Sequence, residues 1–293
     1  MIAHVRAQHD SQFVPARLAR IPGILVDDIV VVPEQWQCAV SEYDPAISGE
    51  ALPFGQPPVV DIPEGVRRII ALRAARELPD GASVNFGYGI PGGIPGVLAE
   101  QGRIGTYWGS VEQGTHNGQL MDGAMFGAAR YPQSIVPSVD QFDFYSGGGV
   151  DVAFLGMGEM DGEGNVNVSK LGESIVGPGG FVDITQGAKK VVFCGTFEAK
   201  GLDVEAASGR LQIRSRGQVP KLVQQVRHIS FSGQRAREQK QEVLYVTERA
   251  VFQLHRDGIE LVEVADGADV QRDVLERMGF KPMVRSPRRM PLS

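Results

Sequence analysis

The stretch SVNFGYGIPGGIPGVLAEQGRIGTYWGSVEQGTHNG, residues 83–118, decides the fold class of this chain. It begins with a short apolar run that leads into a glycine loop at 87–93. A helical segment opened by Pro95 follows, and a second apolar run, 106–111, then delivers Glu112 into another glycine-rich loop. The order predicted is strand, loop, helix, strand, loop. Because ligands bind beyond the carboxyl ends of strands in open α/β sheets, Glu112 is a candidate reactive group.

The same stretch also contains a nucleotide-binding pattern. Gly87, Gly89 and Gly92 spell G-x-G-x-x-G, and Glu112 stands where a dinucleotide site places its ribose-binding carboxylate. Pro91 argues against this interpretation because proline offers no backbone N–H to a pyrophosphate. From the pattern alone, a dinucleotide site and a solvated loop glutamate both remain open.

Several collinear motifs carry a more specific signal. The loop NFGYGIP (85–91) resembles the N-x-G-x-G-x-P loop of the family I coenzyme A (CoA) transferases, and SVEQG (110–114) resembles their glutamate motif. The similarity runs from about residue 21 to 283 and is greatest to single-chain propionate and short-chain acyl-CoA transferases. It includes three further segments, at 141–151, 164–170 and 179–185.

The resemblance implies that Glu112 is the catalytic nucleophile, since a carboxylate can form an acyl anhydride and then a CoA thioester. It places Gly148 and Gly149 at the oxyanion and acyl site. It also implies CoA-binding residues, namely Asn85, Gly87, Gly89, Asn167 and Lys170. The structural alternatives are a loop acid, turn glycines and a hairpin-edge lysine.

One position departs from the family pattern. After the glutamate motif the family often has paired glycines, whereas this loop reads THNG. His116 is therefore either a loop histidine without mechanistic weight or a proton shuttle.

Composition limits the classes of partner. A net charge of −6 argues against nucleic acid. No apolar run approaches the ~20 residues that span a membrane, and the first residues lack a signal-peptide core. Cys38 and Cys194 have no metal-ligand spacing. We expect a cytoplasmic enzyme with no metal and no permanently bound cofactor, which uses CoA as a substrate together with a small carboxylic acid.

The expected fold class is α/β, a mostly parallel open sheet of the CoA-transferase type with a hairpin-rich antiparallel portion. Residues 61–285 form the domain that carries the catalytic glutamate, with helices predicted at 63–79 and 268–278, and 286–293 form a disordered tail. Residues 1–60 are interpreted as the remnant of an N-terminal half plus a linker. The β-branched run at 24–32 has no strand partner in its own neighbourhood, so a homo-oligomer or an α-type CoA-transferase subunit is expected to pair with it.

The function predicted is an acyl-CoA:carboxylate CoA-transferase that moves CoA from a short-chain acyl-CoA to acetate or a 3-oxo acid. Two alternative functions remain open for the same sequence. One is a CoA-thioester hydrolase using the same glutamate, and the other is a truncated, non-catalytic subunit.

Overall fold

An exposed N-terminal arm, formed by the described residues before Ala46, precedes the main body. The computed structural model describes residues 1–10, 15–38, 41–52, 62 and 64–292. The arm contains a parallel pair, β1 (Ile2–Val5) and β2 (Asp28–Val31), and two short 3-10 turns. The expectation that the β-branched run lacks a partner nearby is therefore wrong, because the chain loops back and pairs the run with residues close to its own start. None of the described residues before Ala46 is buried.

The first part of the main body contains the stretch that decides the fold. Its elements in chain order are α1 (Val66–Ala75), β3 (Ser83–Phe86), α2 (Ile94–Glu100), β4 (Trp108–Ser110), β5 (Thr115–His116), β6 (Gln119–Leu120), β7 (Ala129–Arg130), β8 (Ser134–Ile135) and α3 (Ser138–Ser146). Pro95 lies in the first turn of α2, as predicted. A 3-10 turn, Ile90–Gly93, precedes this helix and leaves the G-x-G-x-x-G glycines outside it.

The second part alternates long central strands with two-residue pairs. Its elements are β9 (Val152–Gly156), β10 (Glu159–Met160), β11 (Val166–Asn167), β12 (Lys170–Leu171), β13 (Ser174–Ile175), α4 (Phe181–Gly187), β14 (Lys190–Cys194), β15 (Glu198–Ala199), β16 (Asp203–Ala207), β17 (Arg210–Ser215) and β18 (Val219–Pro220). The last part contains α5 (Gly233–Glu238), β19 (Glu242–Val246), β20 (Ala250–His255), β21 (Gly258–Ala265) and β22 (Met283–Met290).

One ten-stranded sheet organises the main body, in the order β22-β21-β20-β19-β14-β9-β3-β4-β5-β8. Its centre, β19-β14-β9-β3-β4, is parallel, and β20 and β5 join it antiparallel on either side. The fold-class prediction is thus confirmed. The hairpin-rich antiparallel portion includes the pair β16–β17.

Both faces of the central sheet are covered, so its strands are apolar on both sides. On β14, Val192 and Cys194 pack with α1 and α2, whereas Val191 and Phe193 pack with α3 and α4. In the described part of the chain, no helix has the length and apolar character needed to cross a membrane.

Three sequence-based boundaries need correction. Most of the expected tail belongs to the edge strand β22, which pairs with β21. Met290, the last residue of this strand, is fully buried. The helix expected at 268–278 is a π turn, Val270–Val274, followed by a 3-10 turn. The domain also begins before 61, since Ala46 is buried and its carbonyl accepts the N–H of Tyr131 at 2.7 Å.

Candidate active site

The carboxyl ends of the parallel strands form one edge of the sheet. Counted along the chain, the central strands follow the order 2-1-3-4-5, with β3 and β9 as the pair where the order reverses. In doubly wound sheets, ligands bind in the crevice at such a switch point. The loop containing Gly87 and Gly89 leaves β3 at this edge, and Glu112 follows the neighbouring β4.

Glu112 lies at the tip of the tight hairpin between β4 and β5. The Val111 N–H donates to the Thr115 carbonyl at 3.0 Å, and the Gly114 N–H donates to the Val111 carbonyl at 3.0 Å. Gly114 has φ +98, and a methyl group added there would lie 2.0 Å from the Val136 carbonyl oxygen. Only glycine fits this turn, so the sequence E-x-G is required to form it.

The Glu112 carboxylate is half-buried against a glycine pair and a ring. A methyl group added at Gly180 would lie 2.6 Å from Oε2 of Glu112 and 2.7 Å from Cζ of Phe142. One added at Gly179 would lie 3.4 Å from Oε1. The glycine pair therefore lets the backbone approach the carboxylate as closely as it does.

The surroundings act on the charge of Glu112 in opposite directions. Burial raises the pKa of its carboxyl, and a backbone hydrogen bond from Gly180 lowers it. The net direction is upward. A carboxylate that is partly removed from water, yet held by one N–H donor, is poised to act as a nucleophile.

The prediction that Gly148 and Gly149 line the oxyanion and acyl site needs correction, because both glycines lie elsewhere. Gly149 accepts a hydrogen bond from the Ser83 hydroxyl, at the edge where β3 begins and opposite to the edge of Glu112. The N–H groups of Gly148 and Gly149 donate to carbonyls of α3, those of Tyr145 and Phe144, at 3.1 and 3.0 Å. These glycines terminate α3 and have no N–H left for an oxyanion. Gly180 is the glycine whose N–H meets the carboxylate.

Asn85, Gly87 and Gly89, the residues predicted at the CoA thiol end, lie on β3 or in the loop that follows it at the carboxyl edge of the sheet. A methyl group added at Gly87 would lie 3.0 Å from the Phe154 carbonyl oxygen, so glycine is needed where β3 meets β9. Gly89 has φ +83 and open space around it. Asn85 is buried, donates from Nδ2 to the Tyr145 hydroxyl at 2.8 Å, and has an Oδ1 with no hydrogen-bond partner among the described residues. Their role in CoA binding stays a prediction.

The other two predicted CoA-binding residues differ in what they can still offer. Asn167 is fully buried, and its Oδ1 accepts the N–H groups of Ser169 and Lys170. Its Nδ2 donates to Glu159 and to the Lys170 carbonyl, at 2.9 and 2.7 Å. All of these hydrogen bonds are made within the protein, so the Asn167 amide stabilises the turn at 167–170. The Lys170 side chain is exposed on a hairpin at the same edge, and its contact with CoA stays a prediction.

Sequence reasoning missed three residues near this edge. Gly180 and Phe142 lie in segments that carried the family resemblance, but nothing in their spacing pointed to Glu112. Lys221 is the third, because its Nζ would lie 3.1 Å from a methyl group added at Gly195, just beyond β14. Burial lowers the pKa of Lys221 to about 8, and Glu248 opposes the shift. A solitary lysine in sequence gives no sign of this environment.

No group of three or more His, Cys, Asp or Glu side chains suited to a metal occurs among the described residues. The absence of a cofactor stays a prediction.

The fold and this site define an open α/β protein with a half-buried carboxylate at the carboxyl edge of its sheet. The acetate CoA-transferase YdiF of Escherichia coli O157:H7 is 41% identical over 266 residues, 90% of this chain and 50% of the relative. The caffeate CoA-transferase of Acetobacterium woodii is 40% identical over 274 residues, 90% of this chain and 52% of the relative. The chain belongs to the family I CoA transferases.

The structural comparison agrees. A crystal structure of YdiF described as a thioester complex with CoA superimposes with a TM-score of 0.89 and 37% identity, over 99% of this chain and 54% of that one. The β subunit of the acetate CoA-transferase of E. coli K12 is 28% identical over 208 residues, 69% of this chain and 86% of the subunit. The chain thus spans about half the length of the first two relatives. No family model matches it.

Proposed function

We propose that this chain carries the nucleophile of an acyl-CoA:carboxylate CoA-transferase, and that the nucleophile is Glu112. The observation that supports this most directly is the half-buried carboxylate held by the Gly180 N–H at the carboxyl edge of the sheet. The relatives named as CoA-transferases support the reaction class.

The proposed reaction proceeds in balanced steps. An oxygen of Glu112 attacks the acyl-CoA carbonyl, the C–S bond breaks, and CoA thiolate leaves behind an acyl-glutamyl anhydride. The thiolate then attacks the Glu112 carbonyl carbon, which expels the first acid and leaves a glutamyl-CoA thioester. An incoming carboxylate reverses both steps and departs as the new acyl-CoA, leaving Glu112 free.

Gly180 has a defined part in this scheme. Its N–H donates to an oxygen of Glu112, so it is placed for the oxyanion that forms when the thiolate adds to the Glu112 carbonyl carbon. Donors preorganised in this way typically contribute ~10²–10³ in rate. The Phe142 ring lies against the same glycine, since a methyl group added at Gly180 would meet it as well as Glu112.

We further propose that the active enzyme contains a second, N-terminal-type half. The exposed apolar arm and the match to a β subunit over most of that subunit's length support this part. The half can be a separate α-type subunit or part of the same polypeptide.

The test is to trap the intermediate on the complete enzyme. Acyl-CoA is added, the thioester is reduced with borohydride, and the modified peptide is found by mass spectrometry. We expect modification at Glu112 alone, none in Glu112→Gln, and wild-type labelling in Glu173→Gln, an exposed glutamate on the nearby hairpin.

Two results would count against the assignment, namely modification at another residue or full turnover in Glu112→Gln. Release of free CoA without any added acid, with the Glu112 label intact, would instead identify a thioester hydrolase.

A further inference from the structure

A chain of buried polar side chains lies beneath the hairpin that carries Glu112. His116 pairs with Ser110 across this hairpin and is almost fully buried. Its Nδ1 lies 2.8 Å from Nε1 of Trp108, and its Nε2 lies 2.6 Å from Oε1 of Gln141, a fully buried residue of α3. Both ring nitrogens are therefore engaged by other side chains.

The donors fix the protonation of the ring. An indole N–H can only donate, so Nδ1 of His116 must accept and carries no proton. The ring is then neutral, with its hydrogen on Nε2, and this N–H donates to the carbonyl oxygen of Gln141. Because both ring nitrogens are engaged by the side chains of Trp108 and Gln141, the geometry favours a structural role for His116 over a proton shuttle.

A second group of polar contacts on α3 centres on the Tyr145 hydroxyl. The Tyr145 hydroxyl lies 2.8 Å from Nδ2 of Asn85 and 3.1 Å from Oγ of Ser110. Burial raises the pKa of Tyr145, hydrogen bonds from Ser110, Asn85 and Gln141 lower it, and the charge of Glu112 raises it. Tyr145 thus touches both strands that end at the site and lies within the electrostatic reach of Glu112.

We propose that His116, as its neutral Nε2–H tautomer, is a positioning residue that locks the Glu112 hairpin to α3 through Gln141. The inference rests on the proposed function, because it concerns the placement of that nucleophile. A second polar contact joins the hairpin to α3, between the Ser110 and Tyr145 hydroxyls, but it lies on β4, whereas His116 fixes β5. Loss of the Nε2–H···Oε1 bond frees the β5 side of the hairpin, and a shift of ~1 Å in a nucleophile can cost about 10²-fold in rate.

Two substitutions separate the two hydrogen bonds of His116, one to Trp108 and one to Gln141. In His116→Gln the side-chain amide reaches the former Nε2 position and can still donate to Gln141. In His116→Asn the amide reaches only the former Nδ1 position, which keeps the Trp108 contact and loses Gln141. His255, half-exposed where β20 ends at the opposite edge of the sheet, supplies the matched controls His255→Gln and His255→Asn.

In the complete enzyme, we expect His116→Asn to lower kcat by about 10²-fold with little change in KM, and to slow Glu112 thioester formation equally. We expect His116→Gln to restore most of kcat, although both variants lose melting temperature. Histidine ¹⁵N chemical shifts should identify Nε2–H on wild-type His116. Equal kcat for the two variants, or an Nδ1–H tautomer, would overturn the inference.

Failure of this inference is distinguishable from failure of the proposed function. If wild-type enzyme forms no Glu112 thioester, the proposed function fails. If it forms the thioester and the two His116 variants behave alike, only the positioning role fails.

Discussion

A single glycine decides how the Glu112 carboxylate is held. Gly180 brings its N–H to Glu112 because no side chain intervenes, and the Phe142 ring lies against the same glycine. The same contact both lowers the pKa of Glu112 against the effect of burial and offers an oxyanion donor. Close packing and chemistry therefore make the same demand on this position.

The first prediction at this scale concerns Gly180→Ala. The added methyl would lie 2.6 Å from Oε2 of Glu112, so the carboxylate must move. Because a displacement of ~1 Å can cost about 10²-fold, we expect kcat to fall by about that factor. Steady-state kinetics and the rate of thioester formation both measure it.

Gly93→Ala is the matched control for this prediction. Its added methyl would meet nothing closer than 3.7 Å, and its φ of −81° suits alanine. If Gly180→Ala and Gly93→Ala turn over alike, the close approach of Gly180 has no catalytic role.

At the scale of elements, α3 links both edges of the sheet. Its Phe142 lies near Glu112, and its C-terminal end reaches the opposite edge at Gly149. The glycines at 147–149 end the helix with three consecutive backbone hydrogen bonds to its last turn. The resemblance implied a place at the acyl site for two of them, whereas the backbone shows a helix terminus.

The prediction for this element is that Gly149→Val impairs folding and spares chemistry. A carbon added at Gly149 would lie 2.3 Å from the Phe144 ring, and overpacking of this kind typically costs ~1–3 kcal/mol. Urea denaturation measures the free energy of unfolding, and kcat per folded molecule should equal the wild-type value. Ser146→Ala, an exposed position of the same helix, should change neither.

The opposite pattern would restore the original interpretation. A Gly149→Val enzyme that keeps its free energy of unfolding but loses turnover would place this glycine at the acyl site.

Local patterns predicted the fold class and the position of Glu112 after a strand, but not the residues around it. The central strands are apolar on both faces, and the apolar run VVFCGTF at 191–197 shows this for β14. Glu112 follows a strand, so its edge followed from the sequence. Gly180 meets Glu112 across 68 positions of chain, 112 to 180, and no local period encodes such a contact. The strand β22 was missed because its edge pairing, rather than its own apolar content, orders it.

At the scale of the whole molecule, the arm and the body have different kinds of surface. The described arm residues bury none of their side chains, and apolar ones are widely exposed, with Ile24 at 91% and Ile2 at 68%. The body contains two continuous cores, one on each face of the sheet. Several widely exposed apolar side chains in one segment are typical of an interaction site. The arm therefore contributes little to the stability of the body and is suited to contact another half.

The last prediction separates these two roles by deleting residues 1–32. The body should keep its melting temperature, because none of the described residues among those deleted is buried and the deletion ends before the segment that packs through Ala46. The truncated chain should lose its association with a separately expressed N-terminal-type half, and CoA-transferase activity with it. Size-exclusion chromatography with light scattering measures association, and differential scanning fluorimetry measures melting. Ile24→Asp should weaken association in the intact chain, whereas Val284→Asp, the same kind of change on β22, should not. Unchanged assembly after truncation would show that the second half binds the body elsewhere, and a large loss of melting temperature would show that the arm stabilises the body directly.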